Sequence, residues 1–334
     1  MSNLPLRDKK ILFFSPSFFG YEIKIKDKMI ALGADVYYFD ERPITKSYQK
    51  ALLKVNPNIF SHRTERYFFN ILEKVKDIKF DYVFFLKCEM PTIKVMKTYR
   101  NHFKESKFCL YMWDSLSNVV NIEKKLSFFD DIYSFDVDDS KRNDNINFRP
   151  LFYADDFQIK HSLSENFTYD LCFLGTIHSD RYKVISQVKR IAKKNNLKTF
   201  FFNFLQSRFM YDFYKLTKEE FKDTRPSDFS FDKMSSIEIA DVVSQSKIVL
   251  DIQHPKQTGL TMRTIEMIGM HKKIITTNAA IKQYDFYNPN NISVIDREDV
   301  KIDVSFFDKP YEPLDEEIYY HYSLEAWVLE MLKE

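Results

Sequence analysis

Short, unbroken apolar runs separated by amphipathic stretches constrain this chain more than any other feature. KILFFS (10–15), DVYYF (35–39), DYVFFL (81–86), KFCLYMW (107–113) and DIYSF (131–135) are all of strand length and show no apolar–polar alternation. A strand apolar on both faces is buried on both faces, which points to a parallel sheet covered by helices. Helical periods over 21–33, 63–77, 91–104 and 117–127 fall between these runs. The rhythm breaks at NFRPLFYADDF (147–157) and then restarts. Strands are expected at 169–175, 198–204, 247–252, 272–277 and 292–295, with helices at 180–195, 235–245 and about 260–270. The fold class is therefore α/β, with two doubly wound, Rossmann-like domains. Their expected limits are 1–155 and 156–315, and a C-terminal helical segment, 316–334, packs back across the junction.

Composition narrows the function. The 334 residues are 44% hydrophobic, enough for substantial cores, and the net charge of +2 gives no footprint for a general nucleic-acid partner. Cys88, Cys109 and Cys172 lie singly in or beside apolar runs and read as buried free thiols. Seven histidines show no metal-ligand spacing, and no metal is expected. The Asp-x-Asp within FDVDDS reads as a turn and helix cap. No apolar run reaches bilayer length and the first residues lack the order of a secretory leader, so a cytoplasmic location is expected. The helix YEIKIKDKM, preceded by SFF, alternates lysines with apolar residues. It suits either solvent or the cytoplasmic face of an anionic inner membrane.

In doubly wound sheets ligands gather at the carboxyl ends of strands, where helix N-termini offer unbonded N–H groups. Two stretches have that character. In YDLCFLGTIHSDRY (169–182) a strand ends at Gly175, followed by Thr176, His178 and Arg181 at a helix start. The turn suits an anion, though the glycine equally serves a plain strand-to-helix bend. In SKIVLDIQHPKQTGLTMRTIEMIGMHKKIITTN (246–278) a loop carries His254, Gln257 and Thr258. A helix opens there near Gly259 or Leu260, and Arg263 and Glu266 follow. Arginine can grip a diphosphate bidentately and a carboxylate can accept paired ribose hydroxyls. The same two residues, at i and i+3, also make an ordinary helix ion pair.

The second stretch resembles the donor-binding segment of GT-B glycosyltransferases, closest to bacterial polysaccharide enzymes. TIEMIGMHKKIITTN matches their helix-and-strand run and places Glu266 at the family's ribose-binding glutamate. YDLCFLGTIHSDRY resembles the start of their C-terminal domain, and FDDIYSFDVDDSKR (129–142) the last strand and turn of their N-terminal domain. The resemblance implies a GT-B fold with two Rossmann-like domains facing a central cleft. It also implies transfer of a sugar from a nucleotide-diphosphate sugar to a glycan or lipid-linked acceptor, in surface polysaccharide or lipopolysaccharide synthesis. A nucleotide sugar is then the donor substrate, with no cofactor. The sequence departs from the pattern at Thr258, eight residues before Glu266, where many retaining members carry a second glutamate. Retaining and inverting chemistry both stay open. So do a nucleotide-sugar epimerase on the same fold and a non-catalytic nucleotide-sugar-binding subunit.

The first domain should supply the acceptor side from its strand ends: SPSFFGYE, DERP, KCE and WDS. Asp114 is the leading candidate for a base or an acceptor-positioning carboxylate, and Glu89 the second. Phe19, Gly20, Tyr21 and Asp40 complete the acceptor-side set. Each of these residues also suits a helix cap or an exposed turn.

Overall fold

The computed structural model describes residues 4–42, 61–158, 167–255 and 259–333. The chain divides into two compact units, Met1–Pro150 with Leu324–Glu334, and Leu151–Ser323.

The first unit is built on six parallel strands: β1 (Lys10–Ser15), β2 (Asp35–Asp40), β3 (Tyr82–Leu86), β4 (Lys107–Met112), β5 (Asp131–Ser134) and β6 (Asn147–Phe148). They lie in the order β2-β1-β3-β4-β5-β6. Ile11 to Phe14, all of β3 and most of β4 are buried, because helices cover both faces. Leu12, Phe14, Phe85 and Leu110 pack toward α2 (Ser61–Val75) and α3 (Ile93–His102). Against the other face Phe84 and Tyr111 meet Trp327 of the helix α11 (Leu324–Met331), with ring centroids 5.9 and 4.8 Å apart. Trp327 is fully buried, as is the Arg149 guanidinium, which pairs with Glu330 at 2.6 Å. A fully buried apolar side chain contributes about 1.5–3 kcal/mol, so Trp327 alone makes α11 an integral part of the first unit. The helix α1 (Tyr21–Ala31) covers the sheet beside it, with Ile25 and Met29 buried.

The second unit has five parallel strands: β7 (Tyr169–Thr176), β8 (Thr199–Phe204), β9 (Ser246–Asp251), β10 (Lys273–Thr276) and β11 (Ile292–Val294). Their order is β11-β10-β9-β7-β8. Read from its own first strand, this repeats the first unit's pattern: the second strand lies outside the first, and the third starts the run in the other direction. Each sheet thus has one point where the winding reverses, between β1 and β3 and between β7 and β9. There, adjacent connections leave on opposite faces and open a crevice at the carboxyl ends. Around this sheet lie α5 (Arg181–Lys194), α6 (Arg208–Thr217), α7 (Ser236–Ser244) and α8 (Met262–Gly269).

Three expectations are corrected. Residues 117–127 form two 3₁₀ turns, Leu116–Asn118 and Glu123–Phe128, instead of one helix. Asn121 takes a left-handed φ of 59° between them, and Lys125 turns inward. The helix expected to open near Gly259 or Leu260 starts at Met262, because Thr261 caps it by accepting from the Thr264 N–H. Residues 208–217, between the strand expected at 198–204 and the helix expected at 235–245, form α6, capped by Ser207. Asp136 of the Asp-x-Asp caps the helix α4 (Val137–Arg142) through the Asp138 N–H. All three cysteines are free and buried. Gly269 is explained by packing, since a Cβ there would lie 2.5 Å from the Phe157 carbonyl and the Tyr153 ring.

Candidate functional site

At the reversal point of the second unit, Arg181 begins α5 directly below the ends of β7 and β9. Its Nη1 donates to the Thr176 carbonyl at 2.9 Å and its Nε to the Ile252 carbonyl at 2.7 Å. The guanidinium therefore joins the two strands between which the winding reverses, and Nη2 makes no hydrogen bond among the described residues. Gly175 leaves room for the Phe173 ring, which a Cβ there would meet at 2.9 Å, while Arg181 Nη1 would lie at an ordinary contact distance of 3.5 Å. His178, on the turn between Gly175 and α5, stands with its ring centroid 5.5 Å from that of His254. Burial, then the neighbouring Arg181 and His254, push His178 down to about 4. It is therefore neutral near pH 7, able to donate or accept a hydrogen bond without carrying charge.

A second guanidinium was not foreseen. Arg297, just beyond β11, pairs with Asp180 at 2.9 Å and donates to the Gln253 carbonyl and the Thr277 hydroxyl, both at 3.3 Å. Gln253 in turn donates to the Thr277 carbonyl at 3.2 Å and accepts from the Thr277 hydroxyl. Asp180 keeps one buried oxygen, Oδ1, without a hydrogen-bond partner among the described residues. Arg297, Gln253 and Thr277 share one legible signal: each lies one to three residues past the end of a parallel strand.

The structure thus brings Gly175, Thr176, His178, Arg181 and His254 together. Gln257 and Thr258 lie outside the described residues. Gly259 and Leu260 are buried, and the Gly259 carbonyl accepts from Asn278 at 3.4 Å. Arg263 and Glu266 form the ion pair along α8, at 3.6 Å, with Glu266 only 4% exposed. The α8 N-terminus is braced by Asp251, which accepts from the Thr264 hydroxyl at 2.6 Å and from the Thr261 hydroxyl at 3.4 Å.

In the first unit, a cavity of about 190 Å³ opens where β1, β3 and β4 end. Ser15, Tyr21, Lys87, Glu89, Trp113 and Asp114 are among its walls. Lys87 Nζ lies 3.2 Å from a Glu89 carboxylate oxygen and 3.3 Å from one of Asp114. Burial pulls the Lys87 ammonium down, but Glu89 and Asp114 outweigh it and the net shift is upward, so Lys87 is charged. The other Asp114 oxygen accepts from Asn118 at 2.9 Å. Gly20 takes a left-handed φ of 80° at the start of α1, a conformation that favours glycine, and Phe19 beside it is 76% exposed. Neither lines the cavity. Asp40 braces the loop, accepting from the Arg42 N–H at 2.8 Å, while Arg42 itself reaches the cavity wall.

Beneath the cavity lies a support that sequence reasoning missed. Lys87 and Cys88 are consecutive left-handed residues, with φ of 84° and 52°. Lys125, buried, holds this turn by donating to the carbonyls of Cys88, Glu89 and Pro91 at 2.5, 3.1 and 3.3 Å. Glu41, with no exposed surface, accepts from the Glu89 N–H at 3.3 Å, and its Oε2 has no hydrogen-bond partner among the described residues. Burial, followed by the Glu89 charge, pushes the Glu41 carboxyl up to about 8. Among the described residues no three histidine, cysteine or acidic side chains are grouped to hold a metal ion, and no helix is long and apolar enough to cross a membrane.

No protein-family model and no curated protein matches the chain by sequence. Solved structures do match by fold. An α-glucosyltransferase in complex with UDP and a mismatched 13-mer DNA aligns over 96% of this chain and 97% of its own, with a TM-score of 0.59 at 13% identity. The lipopolysaccharide outer core galactosyltransferase WaaB aligns over 97% and 98%, at 0.52 and 11% identity. A UDP-GlcNAc 2-epimerase from Methanocaldococcus jannaschii, in complex with UDP-GlcNAc and UDP, aligns over 97% and 99%, at 0.51 and 8% identity. The fold is GT-B, with two Rossmann-like α/β domains.

Proposed function

We propose that this protein is a glycosyltransferase that moves a sugar from a nucleoside diphosphate sugar to a glycan or glycolipid acceptor in surface polysaccharide or lipopolysaccharide assembly. The observation that carries the proposal is Arg181, anchored to the last carbonyls of two strands at the reversal point of the second unit's sheet. Two of its nitrogens are committed to backbone, which fixes the guanidinium plane and leaves the Nη2 edge for an anion. Arg297 adds a second positive group on the same sheet edge, and neutral His178 adds a hydrogen-bond donor. Together they suit a leaving diphosphate, whose charge grows as the bond to the sugar breaks. Structures of the same fold bound to UDP support a nucleotide ligand. Arg263 is assigned to the diphosphate and Glu266, ion-paired to it, to the ribose, and Asp114 to positioning or deprotonating the acceptor hydroxyl, with Glu89 beside it. The reading includes no resident cofactor.

The test is calorimetry with UDP, GDP, ADP and dTDP, followed by nucleotide release from the matching sugar donors with and without lipid-linked acceptor. Arg181→Ala and Arg297→Ala should each weaken binding of the preferred nucleotide about 10- to 100-fold, the scale of a lost charge-assisted hydrogen bond. Unchanged affinity in both removes the assignment. Interconversion of the sugar without transfer would make the protein an epimerase, and binding without turnover a donor-binding subunit. Beside the acceptor side, Phe19 and Ile23 are exposed next to Lys24 and Lys26. We assign this patch to peripheral contact with the anionic cytoplasmic face of the inner membrane.

A further inference from the structure

We propose that Glu41 and Lys125 form a buried, proton-controlled latch on the turn that carries Lys87 and Glu89, closed while Glu41 is neutral and released when it ionises. The consequence, control of the acceptor side, rests on the glycosyltransferase reading; the latch itself follows from the hydrogen bonds.

Lys87 and Cys88 are consecutive non-glycine residues in the left-handed region, a backbone that persists where its surroundings hold it. One ammonium does so. Lys125 Nζ donates to the carbonyls of Cys88, Glu89 and Pro91. An ammonium has three protons, so all of them are engaged. The turn stands between two cavities. Lys87, Glu89 and Asp114 line both the cavity of about 190 Å³ and an adjoining one of about 1010 Å³, whose wall continues along 90–94.

Glu41, directly after β2, has no exposed surface. One of its oxygens accepts from the Glu89 N–H, and the other has no hydrogen-bond partner among the described residues. The charged groups acting on it are Glu89 and Lys87, from the turn, and Lys125, from the 3₁₀ segment Glu123–Phe128. Its chain neighbours Asp40 and Arg42 pair with each other at 3.7 Å. Glu89 repels a carboxylate, Lys87 is shared between Glu89 and Asp114, and Lys125 has no unengaged proton. A buried carboxylate with one oxygen unbonded costs far more than the neutral acid. Glu41 therefore keeps its proton in the closed turn, in line with its upward displacement to about 8. Once that proton leaves to solvent, the cation acting most strongly on the new charge is Lys125. It can donate to Glu41 only by leaving a carbonyl of the turn. The backbone that sets Lys87 within 3.2 Å of Glu89 and 3.3 Å of Asp114 then loses its hold.

The test needs no substrate. Trp113 lines the same cavity as Lys87 and Glu89, while the chain's other tryptophan, Trp327, is fully buried. Emission of the full-length protein is followed from pH 6 to pH 9, with far-UV circular dichroism to check that it stays folded. With a midpoint near 8, about one molecule in ten is released at pH 7 and about nine in ten at pH 9. The emission should titrate accordingly, and both Trp113→Phe and Glu41→Gln should abolish the titration. Lys125→Met should show at pH 7 the emission that the parent reaches at pH 9. Lys125→Arg, which keeps N–H donors for the carbonyls, should restore the parent's pH 7 emission. A folded parent without the titration overturns the proposal, as does a titration that survives in Glu41→Gln or in Trp113→Phe. If Lys125→Met does not fold, the Glu41→Gln comparison decides alone. The nucleotide calorimetry separates the two levels: a titration without nucleotide binding sinks the glycosyltransferase reading and keeps the latch, and nucleotide binding without a titration sinks only the latch.

Discussion

Replacing Glu41 with glutamine should stabilise the first unit, and by an amount that grows with pH. Glu41 is fully buried with a raised pKa of about 8, against an ordinary value of 4.5. Below about 4.5 the carboxyl is protonated in both folded and unfolded chains and contributes no pH dependence. Between about 4.5 and 8 the folded state keeps a proton that the unfolded state releases, so stability falls as pH rises, by about 1.4 kcal/mol per pH unit. From pH 5 to pH 7 that amounts to about 2–3 kcal/mol, a large share of a typical domain's stability. In Glu41→Gln the amide keeps a carbonyl to accept from the Glu89 N–H and cannot ionise. The variant should therefore match the parent within about 1 kcal/mol at pH 5 and exceed it by about 2–3 kcal/mol at pH 7. Other titrating groups, such as His178, are common to both proteins and cancel in the difference. Urea melts followed by tryptophan emission isolate the effect, since Trp113 and Trp327 both belong to the first unit. A difference independent of pH, or a variant less stable than the parent throughout, would show that Lys125 holds Glu41 ionised and would refute the reasoning.

Lys125→Met removes the donor to three carbonyls around the left-handed pair Lys87–Cys88, and should cost about 1–3 kcal/mol in the same melts, as buried acceptors left without a donor do. A loss below about 1 kcal/mol would mean that the turn holds itself. Phe19→Ser should reduce co-sedimentation with phosphatidylglycerol-containing vesicles and leave the near-zero binding to phosphatidylcholine unchanged. Equal sedimentation of both proteins would remove the membrane assignment.

What the sequence disclosed and what it hid divide along a physical line. The strands were legible because burial on both faces demands unbroken apolar runs, and Ile11–Phe14 or Tyr82–Leu86 carry that demand in their own residues. The turn from Gly175 to Arg181 was legible because a strand end, a glycine and a helix start follow one another along the chain. Arg297, Glu41 and Lys125 were not, because their roles come from neighbours brought together by the fold. EKK at 123–125 reads as a solvated face, and only the carbonyls converging from 88–91 draw Lys125 inward. The helix α6 was missed although its period is clearly amphipathic; only Tyr211 of it is buried, and Phe209 and Leu216 are 78% and 88% exposed. In the most motif-like segment Gly269 lets α8 lie against Tyr153 and Phe157, and Thr261 caps the helix two residues beyond the glycine expected to open it. Where the strand order reverses, carbonyls from two strand ends flank the Arg181 guanidinium, an arrangement that chain neighbours alone do not spell out because Ile252 lies 71 residues from Arg181.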